Sequence, residues 1–147
     1  MVGAVIPTLK HAIYASLVEA LQQELGAGGY SLVIATSEYQ LDQEVTQAQL
    51  LLERGAEGIV LVGGSHDPRL HPLLDTFGVA YTHAYIHQED RLHPCVGFDN
   101  RAAGGRIADF LVALGHRRVA MIAGITAGND RAGERLEGLR DGLEAHG

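Results

Sequence analysis

The chain has 147 residues, of which 46% are hydrophobic and 20% charged, and a formal net charge of −7. This composition is typical of an ordinary globular domain with a core of its own, so disorder is not expected. The acidic balance, with no basic cluster denser than residues 116–118, excludes the positive surface that contacts to a phosphate backbone need. These residues alone are therefore not expected to bind DNA.

Neither a membrane segment nor a disulfide framework is expected from the sequence. No apolar run approaches the roughly 18 residues that cross a bilayer, and the chain enters a strand-like pattern at Val2 without a charged and apolar leader. The single cysteine, Cys95, excludes an internal disulfide and fits a small strand residue. We expect a cytoplasmic protein, or a mature segment whose leader was removed, and no membrane partner.

Short β-branched runs alternate with segments of helical periodicity along the chain, which is typical of βαβ units. We therefore predict the α/β class, with a doubly wound and mainly parallel sheet that is covered on both faces. The short length of each run fits buried parallel strands. The predicted strands are Val2–Ile6, Tyr30–Ala35, Gly58–Val62, Val79–His83, Cys95–Phe98 and Val119–Ala123.

Three amphipathic helices are predicted from apolar residues that recur at helical spacing. The middle helix has Asn100 placed to cap its start and Gly115 placed to stop its end. The last one covers residues 130–146. Their apolar faces are formed by Leu17, Leu21 and Leu25 in the first, Ile107, Phe110, Leu111 and Leu114 in the second, and Leu136, Leu139 and Leu143 in the third.

Several kinds of chemistry leave no motif in the sequence. A dinucleotide-binding G-x-G-x-x-G should follow the first strand, but residues 7–11 read PTLKH, and there is no P-loop. A response-regulator receiver domain carries acidic residues after its first and third strands. They are missing here, because Pro7-Thr8 and Gly63-Gly64 stand at those positions. The eight histidines form no compact set at a known metal-ligand spacing. We expect no cofactor, no metal and no catalytic residue.

Polar residues follow each of the first five predicted strands. In open α/β sheets, ligands bind at the carboxyl ends of the strands, and hydroxyl, carboxylate and amide groups suit a hydroxylated ligand. The alternative is that some of these residues only cap helices, as Thr36, Ser37 and Asn100 can, and that Asp67-Pro68 starts another helix. The candidate ligand-binding residues are Thr8, Ser37, Ser65, Tyr85 and Asp99.

Two arginines, Arg131 and Arg135, lie four residues apart at the start of the last predicted helix, so both project from one face. Such a pair can bind a carboxylate, a phosphate or a vicinal diol. The alternative is that they pair with Asp130, Glu134 or Glu137 on a solvated face. The spacing alone leaves both interpretations open.

Four segments of the chain resemble the LacI/GalR family of transcriptional regulators, in the right order and at the right spacing. They are residues 54–61 (RGAEGIVL), 95–104 (CVGFDNRAAG), 114–124 (LGHRRVAMIAG) and 135–143 (RLEGLRDGL). The resemblance spans nearly the whole chain. It implies a type I fold like that of periplasmic binding proteins, with residues 1–115 as the first lobe and residues 116–147 as the first strand and helix of the second.

The resemblance also implies a function and a set of site residues. In that family a small effector, such as a sugar, sugar acid or related polyol, binds between two lobes. It controls operator binding by the helix-turn-helix headpieces of a homodimer, and we expect the headpiece to lie outside these residues. Arg135 would bind the effector and Asp99 would orient either the effector or the arginine, with Asp130 and Arg131 as weaker candidates. The family's aromatic N-P-F-[FY] reads HAIY at residues 11–14, so Ile13 cannot stack on the ligand and Tyr14 is the aromatic candidate.

Three functions remain open at this point. The first is the ligand-sensing domain of a regulator, in which effector binding shifts an equilibrium between conformations. The second is a solute-binding protein of a sugar transporter, which shares the fold and needs a secretory leader. The third is an α/β enzyme with Asp99, Glu38 or His66 in acid and base roles, which needs two of them to converge.

Overall fold

Residues 1–87 and 93–147 are described in the computed structural model of the chain, and they form two units. The first unit comprises Met1–Val62 and His66–Ala84. The second comprises Gly63–Ser65 and Tyr85–Gly147. Each unit has its own secondary structure and packing.

The first unit contains four parallel strands in the order β2-β1-β3-β4. In the register of this sheet, Val2 lies opposite Leu32 on one side and Gly58 on the other. The order places the reversal of the winding between β1 and β3, which is the point where α/β sheets bind ligands. The elements are β1 (Val2–Ile6), α1 (Ala12–Ala27), β2 (Leu32–Thr36), α2 (Leu41–Glu53), β3 (Gly58–Val62), α3 (Leu70–Phe77) and β4 (Ala80–Ala84).

The core of the first unit lies where β1 and β3 meet α2 and α3. Consecutive residues of β1 and β3 are buried, because helices cover both faces of a parallel sheet. Gly3 marks the tightest contact, since an added Cβ would lie 2.8 Å from Cδ1 of Leu51. The core cluster consists of Val5, Ala48, Leu51, Leu52, Ala56, Ile59, Leu61, Leu70 and Leu74.

The second unit is built on two helices, α4 (Asn100–Ala113) and α5 (Asp130–Ala145), and a short strand, β5 (Cys95–Val96). Two glycines allow the helices to approach closely. A Cβ on Gly104 would lie 2.8 Å from the backbone nitrogen of Leu139, and one on Gly138 would collide with the carbonyl oxygen of Arg101. Small residues at both positions therefore bring the two backbones into direct contact.

The predicted α/β class and parallel sheet are confirmed, and β1 and β3 have the predicted bounds. The prediction of a strand at Val119–Ala123 is wrong, because residues 116–126 adopt neither helix nor strand. A strand forms only when its backbone N–H and C=O groups meet a neighbouring strand. No strand in the described part of the chain pairs with this segment, and Ile122 and Ile125 are exposed.

The start of α4 differs from the prediction by one residue. Asp99, not Asn100, is the N-cap, since its carboxylate accepts a hydrogen bond of 2.8 Å from the backbone N–H of Ala102. Asn100 is the first helical residue and is 1% exposed. The predicted stop is confirmed, because Gly115 follows the helix in the left-handed conformation at φ 85°.

Two further strands are shorter than predicted at one end. The second strand begins at Leu32, after a turn in which Gly29 has φ 79°, so Tyr30 stays outside it. The fifth is confined to Cys95–Val96, because Gly97 packs against the backbone of Tyr85 and Ile86. Turn geometry thus delays the start of the second strand, and close backbone packing ends the fifth strand early.

The two units do not correspond to the two predicted lobes, 1–115 and 116–147. The units separate at Tyr85, because α4 packs along α5 and so groups with it. The lobe boundary in a complete effector domain stays a prediction.

Replacing Gly138 by alanine is expected to lower the free energy of unfolding by about 2 kcal/mol, as overpacking of a tight contact does. Gly133 is the matched control, since it lies in the same helix with nothing within 4 Å of an added Cβ. Gly133→Ala is expected to raise the free energy of unfolding by about 0.5–1 kcal/mol through helix propensity. Urea unfolding followed by circular dichroism measures both, and equal effects would contradict the close helix contact.

Candidate ligand-binding site

In the first unit, two of the predicted site residues lie in the loops after β1 and β2, and a third, Tyr14, lies in the first turn of α1. Thr8 is 3% exposed, and its hydroxyl accepts a hydrogen bond of 3.2 Å from the N–H of Lys10. Ser37 is also buried, and its N–H donates to the carbonyl of Ile6 at 3.0 Å. The Tyr14 hydroxyl lies 3.4 Å from that of Tyr39. The structure therefore gathers these polar groups at the carboxyl ends of β1 and β2.

In the second unit, the Asp130 carboxylate is the centre of a hydrogen-bond network. One oxygen, Oδ2, accepts from the backbone N–H groups of Gly64 at 2.6 Å and Ser65 at 3.2 Å. The other, Oδ1, accepts from Nη1 of Arg131 at 2.6 Å. The predicted alternative that Arg131 pairs with Asp130 is confirmed, but the pair is buried and not solvated, since the Arg131 side chain is 7% exposed.

A cavity of about 270 Å³ lies beside this network within the second unit. Its charged groups are carboxylates, because both Asp130 and Glu134 contribute to its wall. Burial raises the pKa of the Glu134 carboxyl, and the negative charges of Asp130 and Asp99 raise it further against the opposing charge of Arg131. The lining residues are Gly64, Ser65, Ile86, His87, Asp130 and Glu134.

Arg135 bonds to Asn100, whose role the sequence did not indicate. Its Nη1 donates to Oδ1 of Asn100, and Nδ2 of Asn100 donates to the carbonyl of Tyr85 at 3.0 Å. Tyr85 has a left-handed backbone with φ 67°, so this bond holds an uncommon conformation next to the cavity wall at Ile86. Asp99, predicted to orient the effector or the arginine, caps α4.

Three histidines come together in the first unit, where α3 and the segment before it fold against β4. Residue spacing does not predict this cluster. His66 Nδ1 lies 2.8 Å from Glu44 Oε2, and the rings of His66 and His83 stack at 4.8 Å. His71 Nε2 lies 3.3 Å from His83 Nε2. Within residues 1–87 and 93–147, no group of three or more potential ligands could hold a metal ion.

In residues 1–87 and 93–147, no helix combines the length and the apolar character needed to cross a bilayer. The fold and the polar loops at its strand ends define a class of protein, the open α/β domains that bind a small ligand.

The family described as periplasmic binding proteins and sugar binding domain of LacI family matches residues 1–147. The chain belongs to this family. The resemblance that was seen in the sequence motifs is thereby confirmed.

Two curated relatives and one solved structure illustrate the match. The HTH-type transcriptional regulator GntR of Escherichia coli K12 is 24% identical, over 82% of this chain and 37% of its own length. The sucrose operon repressor of Lactococcus lactis subsp. lactis is 30% identical, over 99% of this chain and 46% of the repressor. The crystal structure of transcription regulator GntR from Chromobacterium violaceum has a TM-score of 0.89 and 25% identity, over 99% of this chain and 53% of its own. The chain thus spans less than half the length of these two curated relatives.

Replacing Glu134 by glutamine is expected to raise the melting temperature at pH 7. A carboxyl with a raised pKa in the folded state stabilises the fold below its ordinary pKa of 4.5, and that contribution is lost as the pH rises through the folded pKa. Glutamine has no charge to bury, so the gain should disappear below pH 4.5. Thermal unfolding at pH 4 and pH 7 measures this gain in melting temperature. Glu19→Gln, at an exposed site in α1, is the control, and a loss of stability in Glu134→Gln at pH 7 would contradict the assignment.

Proposed function

We propose that this chain is the ligand-sensing domain of a LacI-type transcriptional regulator and that it binds a small effector, a sugar, a sugar acid or a related polyol. The observation that carries the proposal is the cavity of about 270 Å³ whose wall combines Ser65, His87, Asp130 and Glu134. These groups can donate hydrogen bonds to ligand hydroxyls or accept hydrogen bonds from them. The family match over the full chain supports the same ligand class.

A binding function is favoured over an enzymatic one by the contacts of the three candidate catalytic residues. Asp99 is engaged as the cap of α4. His66 is buried against Glu44, with 2% of its side chain exposed. Glu38 forms an exposed ion pair of 3.8 Å with Lys10. Each group therefore has a structural partner, and the relatives are transcriptional regulators.

A regulator is favoured over a transport protein by the names of the relatives, which include a repressor of a sucrose operon. In this proposal the effector changes the balance between two conformations of a homodimer. A headpiece outside this chain binds operator DNA in response. A cytoplasmic location follows from that role. No cofactor or membrane partner takes part.

A thermal-shift screen of the chain with sugars, sugar acids and polyols tests the proposal. A ligand at about 100 times its dissociation constant stabilises a protein by about 2.7 kcal/mol. We expect at least one such compound to raise the melting temperature. If none shifts the unfolding of the folded chain, the proposed function is contradicted.

Arg135→Ala is expected to abolish the shift, because Arg135 holds Asn100 and Asn100 holds the Tyr85 carbonyl beside the cavity wall. Arg140→Ala is the matched control, since Arg140 is an exposed arginine of the same helix. A shift that survives Arg135→Ala would leave effector binding supported and would remove Arg135 from the site.

A further inference from the structure

We infer that the cavity beside Asp130 accepts an uncharged, hydroxyl-bearing ligand and discriminates against carboxylates and phosphates, because a carboxylate of the chain itself occupies the donors that an anion needs. This inference rests on the proposed function and narrows its effector from sugars and sugar acids to neutral sugars and polyols. It depends on residues 63–65, Asp130, Arg131 and Glu134, all within the second unit.

Gly64, Ser65 and Arg131 together form a set of donors typical of an anion site. Two consecutive backbone N–H groups and one guanidinium group converge, as they do around bound phosphates and carboxylates. All three donate to the Asp130 carboxylate, at distances of 2.6 Å, 3.2 Å and 2.6 Å respectively. An anionic ligand could reach these donors only by displacing Asp130.

Arg131 is enclosed together with its partner. Its side chain is 7% exposed, and that of Asp130 is 15% exposed. Gly63 covers the pair, because an added Cβ there would collide with Nη1 of Arg131 and lie 2.8 Å from Oδ1 of Asp130. Gly63 also has φ 96°, a conformation that suits glycine. The guanidinium charge is therefore committed to Asp130 inside a tightly packed site.

The charges that remain at the cavity wall repel an anion. Asp130 and Glu134 both line the cavity, and Asp99 acts on Glu134 from α4 as a further negative charge. The pKa of Glu134 is raised, by burial first and then by these carboxylates, so the negative charges outweigh Arg131 at this position. A second anion would meet the same unfavourable field.

A neutral sugar is not repelled by the negative charges at the cavity wall. Its hydroxyl groups can donate to the carboxylates of Asp130 and Glu134 and can exchange hydrogen bonds with Ser65 and His87. Hydrogen bonds with a charged partner are stronger than neutral ones. The cavity, at about 270 Å³, is near the lower end of ligand pockets, which start at roughly 300 Å³. A ligand of monosaccharide size fits this volume best.

Binding of matched ligand sets to the wild-type chain tests the inference. Isothermal titration would compare hexoses and pentoses with their aldonic acids and their phosphate esters, for example glucose, gluconate and glucose 6-phosphate. For the sugar that binds, we expect the acid and the phosphate to bind at least tenfold more weakly. An anionic member that binds as tightly as the neutral one overturns the inference and leaves the proposed function standing. Absence of binding by every member contradicts the proposed function itself.

A second test needs no knowledge of the effector. Asp130→Ala removes the carboxylate that accepts from Gly64, Ser65 and Arg131, so inorganic phosphate should bind to this variant. We expect phosphate to raise its melting temperature above that in chloride of equal ionic strength, and to leave the wild type unchanged. Glu144→Ala, which removes an exposed acid of the same helix, should behave as wild type.

Asp130→Ser serves the same purpose if the alanine variant is poorly folded, since serine also removes the carboxylate from the donors and suits the start of a helix. Equal stabilisation of the wild type and of a folded Asp130 variant by phosphate would show that Asp130 does not block an anion site. That result would overturn the inference whatever the effector is.

Discussion

The second unit depends on the Asp130 carboxylate more than on any other single group. It binds the backbone of Gly64 and Ser65, which lie far from it in the sequence, and it neutralises the buried guanidinium of Arg131. A buried arginine without a partner would be strongly destabilising, as would a buried carboxylate. Because each compensates the other, the start of α5 and the segment at residues 63–65 are fixed relative to each other at the edge of the cavity.

The same network connects fold and recognition. Parallel strands carry their polar loops at one edge of the sheet. Gly63, with φ 96°, lets the backbone approach the side chains of Arg131 and Asp130 closely. The Asp130 carboxylate accepts from the N–H groups of Gly64 and Ser65. In the proposed site, recognition of ligand hydroxyls falls to Ser65, His87 and Glu134, which line the cavity.

The sequence was informative wherever burial alone determines structure. The bounds of β1 and β3 followed from their apolar runs. The buried side of α4 did not follow from apolar periodicity, because Ile107, Phe110 and Leu114 are exposed, whereas the small residues Gly104 and Ala108 are buried. Val119–Ala123 has the same apolar character, but a strand needs a neighbour, which no local pattern reveals. The sequence does not distinguish Asp99 from Asn100 as the cap of α4, because aspartate and asparagine cap helices equally well. The cluster of His66, His71 and His83 depends on tertiary packing between α3 and β4, which residue spacing does not encode. The residues proposed to bind the effector stay predictions.

The contact between α4 and α5 has a mechanical consequence. Side chains at most helix interfaces can change rotamer and so absorb a small displacement, but at Gly104 and Gly138 backbone meets backbone and nothing can yield. The two helices should therefore move together as one rigid pair. Asp130 and Glu134 lie at the start of α5. A displacement of this end would displace the start of α4 by a similar amount, and there Asn100 binds the Tyr85 carbonyl.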